Sequence, residues 1–405
     1  MKNRSFIIAL TCLSGLILSL PSTAKIQNPA SRITDIVSEQ NSDKSDTEQL
    51  KKACDLNDAE ACQQLGRAYF SGDAVEKDFN KSFEYFSKAC KLDNGAGCSG
   101  LGFAYEYGAG KEISYQKALE AYTKGCNLNN SFACGNLGDL YAKDAPGIPK
   151  DEQKSAEFHQ KSFNIAEDLC RGNDPEGCRT LMYHYYYGNV VEADHKKALD
   201  CAVKTCALNV ADGCTTAGFL YHNGLGAPQD YKKAFEYYEK GCNLNDNNSC
   251  FNLATHYENG LGVDQDLKKA NELYERCCDL NNPSGCVSLG YNYDTGNGVT
   301  QDPVKATQLY AKSCALDSAW GCYNLGVSYR DGSGTEKNEQ KAYELFDKTC
   351  ALDYALGCNN LGVMIERGIY VQQDYAKAKE AYGKACDLGE QTGCDNYRML
   401  NKKGY

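Results

Sequence analysis

Residues 302–332 read DPVKATQLYAKSCALDSAWGCYNLGVSYRDG, and this stretch decides the fold. The first half has apolar residues at helical spacing and begins with Asp302, a typical N-cap whose carboxylate accepts hydrogen bonds from free N–H groups. Pro303 suits the first helical position because its missing N–H is not needed there. The second half begins around Cys322, contains a Leu-Gly pair and ends at Gly332, which suits a left-handed C-terminal cap. The stretch therefore predicts two helices joined by a short turn.

The same two-helix pattern recurs along the chain, and cysteines mark its period. Twenty of the 23 cysteines form ten pairs with members eight residues apart, and successive pairs are 36 residues apart except for one step of 44. A fixed period of this size is typical of stacked repeat arrays. The pairs are Cys54 with Cys62, Cys90 with Cys98, Cys126 with Cys134, Cys170 with Cys178, Cys206 with Cys214, Cys242 with Cys250, Cys278 with Cys286, Cys314 with Cys322, Cys350 with Cys358 and Cys386 with Cys394.

The spacing of these pairs indicates one disulfide in each repeat. The two cysteines fall at the end of one helix and the start of the next, and the neck of an antiparallel helix pair brings Cα atoms within the about 7 Å that a disulfide needs. Metal binding is the alternative, but zinc-binding cysteines usually stand about two to four residues apart with histidine nearby. We therefore expect no metal and no other cofactor. Cys201 and Cys277 break the pairing rule and are expected to be buried free thiols, with mispairing of Cys277 as the alternative.

Composition excludes several classes of protein. The chain has 43 Lys and Arg against 54 Asp and Glu, and its net charge of −11 argues against a nucleic-acid binder, which needs a clustered basic surface. The hydrophobic content of 42% with 29 Tyr argues against a disordered chain. The 405 residues exceed the about 250–300 of one compact core, so either several domains or an elongated array is expected. Twenty-three cysteines favour an oxidising compartment, because they would be a liability in a reducing cytosol.

The N-terminal sequence predicts export. Two basic residues precede an apolar run at residues 6–20, and small residues follow, so residues 1–24 are interpreted as a cleaved signal peptide. An uncleaved anchor is the alternative, but the run is shorter than the about 20 residues that span a bilayer. Residues 25–45 are then a polar linker, and the repeats extend over residues 46–402. We expect a secreted or periplasmic protein with no membrane span after cleavage.

Together, the period, the Leu-Gly-x-x-Tyr-x-x-Gly helix, the Lys-Ala helix and the paired cysteines resemble Sel1-like repeats. More narrowly, they resemble the cysteine-rich, Hcp-type Sel1-like repeat proteins of bacteria. The resemblance covers about residues 46–402 and implies an all-α fold, an α/α superhelix of about ten repeats with one disulfide each. The departures are an insertion near residues 143–154 and the replacement of the helix glycine by Met182, Ala254 and Arg398.

A lysine and a tyrosine also recur in register. The lysine stands nine residues before the first cysteine, from Lys81 to Lys377, and the tyrosine seven residues after the second, from Tyr69 to Tyr329. A basic ridge for ligands is the functional interpretation of the lysines. We expect instead that they pack or cap with their stems, and that the tyrosines lie between helices.

Candidate ligand-binding residues lie on the second helix of the repeats. By the resemblance to tetratricopeptide arrays, this helix lines the inner curve, where primary amides suit an extended peptide backbone. Tyr323 and Arg330 fall on nearby positions that we expect to be exposed. The sequence thus predicts a groove for a protein or peptide, the alternative being that the amides only bond neighbouring repeats. Asparagine occurs two residues after the second cysteine at Asn136, Asn252, Asn324, Asn360 and Asn396.

A second function comes from the resemblance alone. Hcp-type relatives are described as penicillin-binding proteins and slow β-lactamases, which implies a β-lactam or a peptidoglycan fragment as ligand. A serine β-lactamase has Ser-x-x-Lys, Ser-Asp-Asn and Lys-Thr-Gly on one scaffold, and only Ser114-Tyr-Gln-Lys117 fits, at the N-cap and repeat-lysine positions. Catalytic residues therefore stay unassigned, and whether the chain is an enzyme stays open. The histidines are scattered, without ligand spacing, at His159, His184, His195, His222 and His256.

Overall fold

A computed structural model describes residues 44–72, 75–188 and 190–405, and these form twenty α-helices and no β-strand. Consecutive helices pack in antiparallel pairs, and consecutive pairs stack as a solenoid, which confirms the predicted fold class. The predicted signal peptide and nearly all of the predicted linker lie outside the described residues. No helix in the described ranges is long and apolar enough to cross a membrane.

The described residues divide into two compact units, one that ends at residue 246 and one that spans residues 247–405. The first unit contains α1 (Lys44–Asp55), α2 (Ala59–Ser71), α3 (Phe79–Lys91), α4 (Gly95–Tyr107), α5 (Tyr115–Asn127), α6 (Ser131–Ala142), α7 (Glu152–Arg171), α8 (Pro175–Tyr187), α9 (His195–Ala207), α10 (Ala211–Asn223) and α11 (Tyr231–Asn243). The second contains α12 (Asn247–Asn259), α13 (Leu267–Asp279), α14 (Pro283–Thr295), α15 (Pro303–Ala315), α16 (Ala319–Asp331), α17 (Glu339–Ala351), α18 (Ala355–Arg367), α19 (Tyr375–Asp387) and α20 (Gln391–Lys402).

Capping residues set the helix ends. The side chain of Asp302 accepts from the N–H of Lys305 at 3.0 Å, as predicted for the N-cap of a first helix. Gly332 ends the second helix with a φ of 71°, as predicted for a left-handed cap. The second helix begins at Ala319, three residues before the second cysteine, because Ser318 caps it by accepting from a backbone N–H. The sequence analysis placed that start too late because it overlooked this second capping residue.

The predicted disulfides are confirmed. Nine bridges between cysteines eight residues apart join Cα atoms 4.3 to 4.7 Å apart. The turn between the cysteines is tight because an Asn or Asp adopts a left-handed conformation there, such as Asp317 with a φ of 57°. Cys242 and Cys250 are also disulfide-bonded. The nine bridges join Cys54 to Cys62, Cys90 to Cys98, Cys126 to Cys134, Cys170 to Cys178, Cys206 to Cys214, Cys278 to Cys286, Cys314 to Cys322, Cys350 to Cys358 and Cys386 to Cys394.

An aromatic ring packs directly on the glycine of the second helix. A Cβ atom at Gly218 would lie 2.6 Å from Cε1 of Tyr238, so only glycine lets the ring come this close. In the preceding repeat Met182 replaces the glycine and Ala202 replaces the aromatic residue, and both are fully buried in one cluster. The exchange of large and small residues preserves the packing. The glycine–aromatic pairs are Gly66–Phe86, Gly102–Tyr122, Gly218–Tyr238, Gly290–Tyr310, Gly326–Phe346 and Gly362–Tyr382.

Repeat lysines cover repeat tyrosines. In eight repeats the lysine Nζ atom lies 4.3 to 5.4 Å from the centroid of a tyrosine ring twelve or thirteen residues earlier, as Lys305 does over Tyr293. Several of these lysines also approach the N-cap aspartate of their own helix, as Lys233 does with Asp230. The lysines therefore pack and pair within the fold, as expected, and do not form a free basic ridge.

Most of the eight extra residues between the third and fourth cysteine pairs are helical. The first helix of that repeat, α7, has 20 residues where the other first helices from α3 onward have 13, so seven of the eight extra residues extend it by about two turns. One extra residue lies in the loop before it, inside the range where the sequence placed the insertion. The extension lets the imidazole ring of His159, instead of a phenylalanine or tyrosine ring, pack on Gly138.

We expect the glycine–aromatic contact to show strong energetic coupling. Gly218→Met alone should destabilise the protein by about 1–3 kcal/mol, because the new side chain overlaps the Tyr238 ring. Tyr238→Ala alone should cost about 3–5 kcal/mol through the cavity that it leaves. The double variant copies the natural Met182–Ala202 pair. Its loss of unfolding free energy should be at least about 1 kcal/mol smaller than the sum of the two single losses. Chemical denaturation measures all three, and additive losses would contradict this packing.

Each disulfide should contribute measurably to stability. Replacing Cys350 and Cys358 together by alanine should lower the free energy of unfolding by about 2–3 kcal/mol, because the bridge no longer restricts the unfolded chain. The matched control is Cys201→Ala, which removes a free thiol. Equal losses for the pair and for the control, measured by denaturant titration, would show that the bridge adds nothing.

Candidate ligand-binding groove

The second helices form the inner layer of each unit. Second helices of successive repeats contact one another in several places, whereas first helices of successive repeats make no contact of comparable extent in the described part of the chain. The helix glycines face the other way, toward the aromatic residue on the first helix of the next repeat. These contacts occur between α2 and α4, α4 and α6, α6 and α8, α14 and α16, and α18 and α20.

Three predicted groove residues form one hydrogen-bond network in the second unit. The Nη1 atom of Arg330 donates to Oδ1 of Asn360 over 3.0 Å, and Nδ2 of Asn360 donates to the Tyr323 hydroxyl over 3.3 Å. The same amide nitrogen donates to the carbonyl of Leu356 over 3.0 Å. The network joins α16 to α18 and holds an amide, a phenol and a guanidinium in fixed positions.

The guanidinium of Arg330 is oriented by its neighbour. Its Nε and Nη2 atoms donate to the two carboxylate oxygens of Asp331, each over 2.9 Å. These bonds with Asp331 raise the pKa of Arg330, and burial raises the pKa of the Tyr323 hydroxyl. Arg330 has five N–H donors, so two remain for a ligand after the three described bonds. Both Tyr323 and Arg330 are half-buried, where the sequence predicted exposed positions.

A cleft lies one repeat further along the second unit. It has a volume of about 610 Å³ and is bounded by α18, the start and middle of α19, and α20. Across it, Nδ2 of Asn396 donates to Oδ1 of Asn359 over 3.0 Å. The sequence analysis missed Asn359, although this residue immediately precedes a predicted ligand residue. The polar residues of the cleft include Asn359, Glu366, Arg367, Gln373, Thr392 and Asn396.

The remaining asparagines differ in what they contact. Asn136 in the first unit donates to Oγ of Ser99 over 3.4 Å, and Asn324 donates to the carbonyl of Trp320 in its own helix over 3.1 Å. Asn252 is buried, and its amide nitrogen has no hydrogen-bond partner among the described residues. Asn136, Asn360 and Asn396 thus bond the preceding repeat, as the alternative interpretation held. Each amide still has hydrogen-bonding capacity beyond these bonds, so a ligand-binding role stays a prediction.

The one sequence match to a β-lactamase motif has a structural role. Oγ of Ser114 accepts from the backbone N–H of Lys117 over 3.4 Å as the N-cap of α5. The ammonium of Lys117 lies 5.4 Å from the centroid of the Tyr105 ring. The two residues are not arranged as a nucleophile and its general base. The serine oxygen accepts from a backbone N–H, and the lysine ammonium lies over an aromatic ring.

A buried serine–histidine contact lies between α7 and α8. Oγ of Ser162 is 3.0 Å from Nε2 of His184 and donates to the carbonyl of Ser131 over 2.8 Å. Since a hydroxyl has one hydrogen, Nε2 of His184 must donate to the serine, which is the wrong tautomer for a general base. Ser162 is fully buried, so this contact belongs to the packing of the long-helix repeat.

The described ranges contain neither a cluster of metal-binding side chains nor a cysteine with a lowered pKa. No group of three or more His, Cys, Asp or Glu side chains there is placed to hold a metal ion. Cys201 and Cys277 are free, as expected, and the first is half-buried while the second is buried. Burial raises the pKa of Cys201 to about 11 and that of Cys277 to about 12, so both stay protonated and poorly nucleophilic at neutral pH.

His184 should make the protein less stable in acid. Burial, together with a smaller contribution from the nearby His159, lowers its pKa from 6.5 to about 4, so the folded state binds the proton less well than the unfolded state. Stability is therefore complete above pH 6.5 and falls as the pH drops toward 4, by up to about 3 kcal/mol. His184→Gln should make this acid-dependent loss shallower in thermal unfolding scans. His195→Gln is the control, and an unchanged slope in His184→Gln would refute the assignment.

Comparison with known proteins identifies the repeats. A family model described as Sel1 repeat matches well over half of the 405 residues. The matched stretches are residues 59–94, 95–130, 131–164, 177–210, 211–246, 247–282, 283–318, 321–354 and 355–390. No curated protein matches the chain.

The solved structures that are similar to this chain include two bacterial proteins. The crystal structure of a Sel1 repeat protein from Oxalobacter formigenes has a TM-score of 0.54 and 23% identity, covering 56% of this chain and 94% of that one. This likeness supports the fold. Helicobacter pylori cysteine rich protein B is 39% identical, with a TM-score of 0.28, and the match covers 33% of this chain and 97% of that one.

Proposed function

This chain belongs to the Sel1 repeat family, in its cysteine-rich form, and from this premise we propose that it is an exported scaffold that binds an extended segment of a partner protein. Sel1 repeats typically mediate protein interactions. The binding surface is the row of second helices in the second unit, from α16 to α20. The observation that carries the proposal is the network of Tyr323, Asn360 and Arg330 beside the open cleft at Asn396.

The chemistry of this surface suits a peptide backbone. An extended segment presents alternating N–H and C=O groups, and primary amides at a regular spacing pair with both. Asn324, Asn360 and Asn396 are separated by one repeat each, and the fold holds two of them by bonds to neighbouring side chains. Preorganised side chains lose less conformational entropy on binding, which favours recognition at this place.

Charge adds a second element of selectivity. The two donors left on Arg330 and the exposed guanidinium of Arg367 suit carboxylate or carbonyl groups of a ligand. Glu366, whose carboxylate accepts from the Tyr382 hydroxyl over 2.7 Å, lies in the same cleft. A partner segment that carries both acidic and basic groups therefore fits this surface better than a uniformly acidic or basic one.

The disulfides support an exported location. Disulfides that recur in every repeat persist in oxidising compartments and are rare in the cytosol. The bridges also fix the two helices of each repeat to one another, which suits a scaffold that must keep its shape outside the cytosol. Within this proposal the protein acts in the periplasm or outside the cell.

Substitution of the amides should weaken partner binding. Asn324→Ala combined with Asn360→Ala should lower affinity by at least about tenfold, because each removes hydrogen bonds to the bound backbone. Peptides selected from a display library against the oxidised wild-type protein serve as probes, and calorimetry measures their affinity. The thermal midpoint is recorded in parallel, since Asn360 also bonds Tyr323 and Arg330.

Asn136→Ala is the matched control for this experiment. It removes the equivalent amide from the first unit, together with its bond to Ser99. The proposal requires that the double variant loses binding while the control keeps it. Equal affinity of the double variant and the wild type would refute the assignment of the surface, whatever the identity of the peptide.

A further inference from the structure

One loop residue of the second unit adopts a conformation that its side chain disfavours. Tyr370, between α18 and α19, has a φ of 67°. L-residues with a Cβ atom avoid this left-handed region, and a bulky aromatic residue is uncommon there. The corresponding loop position in other repeats is glycine with a positive φ, at Gly110, Gly226, Gly262, Gly298 and Gly334. An unfavourable residue that replaces a suitable one points to a role for its side chain.

The side chain of Tyr370 forms one wall of an open aromatic pair. Its ring centroid lies 5.7 Å from that of Tyr343 in α17, and the two ring planes meet at 52°. Tyr343 is half-buried against the core of the second unit, which fixes its ring. Tyr370 is 50% exposed, so the pair opens toward solvent. The two rings are inclined to one another and not stacked, so neither ring fully covers a face of the other.

Carboxylates flank the fixed ring along its helix. Glu339 and Asp347 stand four residues before and after Tyr343, which places them on the same side of α17. The carboxylate of Glu339 pairs with Nζ of Lys337 over 2.7 Å. Asp347 is exposed, and among the described residues it has no ion pair or hydrogen bond from a side chain. One negative charge without a side-chain partner among the described residues therefore lies on the Tyr343 side of α17.

Another repeat shows what such a ring accepts. Phe83 occupies the position of Tyr343 in α3, and Nζ of Lys111 lies 5.3 Å from its ring centroid. Lys111 follows Gly110 in the loop, at the position that Val371 occupies after Tyr370. The loop of the later repeat thus replaces a glycine and an ammonium with a second ring and an apolar side chain. Within the described ranges, no lysine or arginine covers Tyr343 or Tyr370.

From this geometry we infer that Tyr343, Tyr370 and Asp347 bind a quaternary ammonium group. Ring faces attract cations through their quadrupole, and quaternary ammonium ligands are held by such aromatic walls. A primary ammonium is strongly hydrated, which opposes its binding to an aromatic ring. The ammonium of Lys111 lies over Phe83 because it is part of the same chain. A free ligand that loses little hydration suits the open pair better. The group is common to choline, its phosphodiesters and trimethylated lysine, and the carboxylate of Asp347 adds attraction for the charge.

The test is a titration of the full oxidised protein with choline, followed by ligand-observed NMR. The neutral isostere 3,3-dimethylbutan-1-ol has the same shape without the charge and serves as the ligand control. We expect millimolar binding of choline and at least about tenfold weaker binding of the isostere. Glycerophosphocholine and trimethyllysine, titrated separately, distinguish the two sources of the group. Equal binding of choline and the isostere, or no binding of any of the three cations, would overturn the inference.

Variants separate recognition from loop packing. Tyr370→Gly restores the residue of the other repeats, and we expect at least about tenfold weaker choline binding with an unchanged or higher thermal midpoint. Asp347→Asn should weaken binding several-fold, while Trp320→Ala removes another exposed aromatic residue and should leave it unchanged. If Tyr370 only packs on Tyr343, the glycine variant will lose stability and keep the wild-type affinity for choline, which would refute the site.

Discussion

The close contact between an aromatic ring and a glycine of the second helix is the constraint on which the other features depend. It brings each second helix against the next repeat, and the ring is fully buried in pairs such as Gly218–Tyr238. The second helices also contact one another from repeat to repeat and so form the inner layer of each unit. The disulfide across each helix neck then fixes the angle within the pair, so that the same packing repeats along each unit.

The uniform frame leaves function to the residues that vary on it. Lysines that recur in register are used by the frame, since they cover tyrosines and approach capping aspartates. The residues that differ between repeats carry the candidate sites instead. Arg330 stands where neighbouring repeats have acidic residues, and Tyr370 stands where they have glycine. A departure from the repeat is therefore a better guide to recognition here than a residue that always recurs.

The two candidate sites use different physics. Between α16 and α18, hydrogen bonds among Tyr323, Asn360 and Arg330 hold polar groups ready for a backbone. At the loop before α19, two rings and a free carboxylate offer a place for a cation that needs little desolvation. An asparagine amide has enough donors and acceptors to join two repeats and also to bind a ligand. Asn360 joins two repeats through its bond to Tyr323, and its amide keeps further hydrogen-bonding capacity for a ligand.

The sequence by itself determined the helix pairs, the caps and the cysteine partners, because these depend on residues within one period that contact each other locally. It also located the asparagine positions, although it could not distinguish Asn252, which is buried, from Asn360, which is half-exposed. Only the tertiary structure decided which side chains meet across repeats. The pairing of Met182 with Ala202 and the angle between Tyr343 and Tyr370 depend on the stacking of separate elements. No spacing within one period encodes such contacts, because they join residues of different helices whose distance is set by packing.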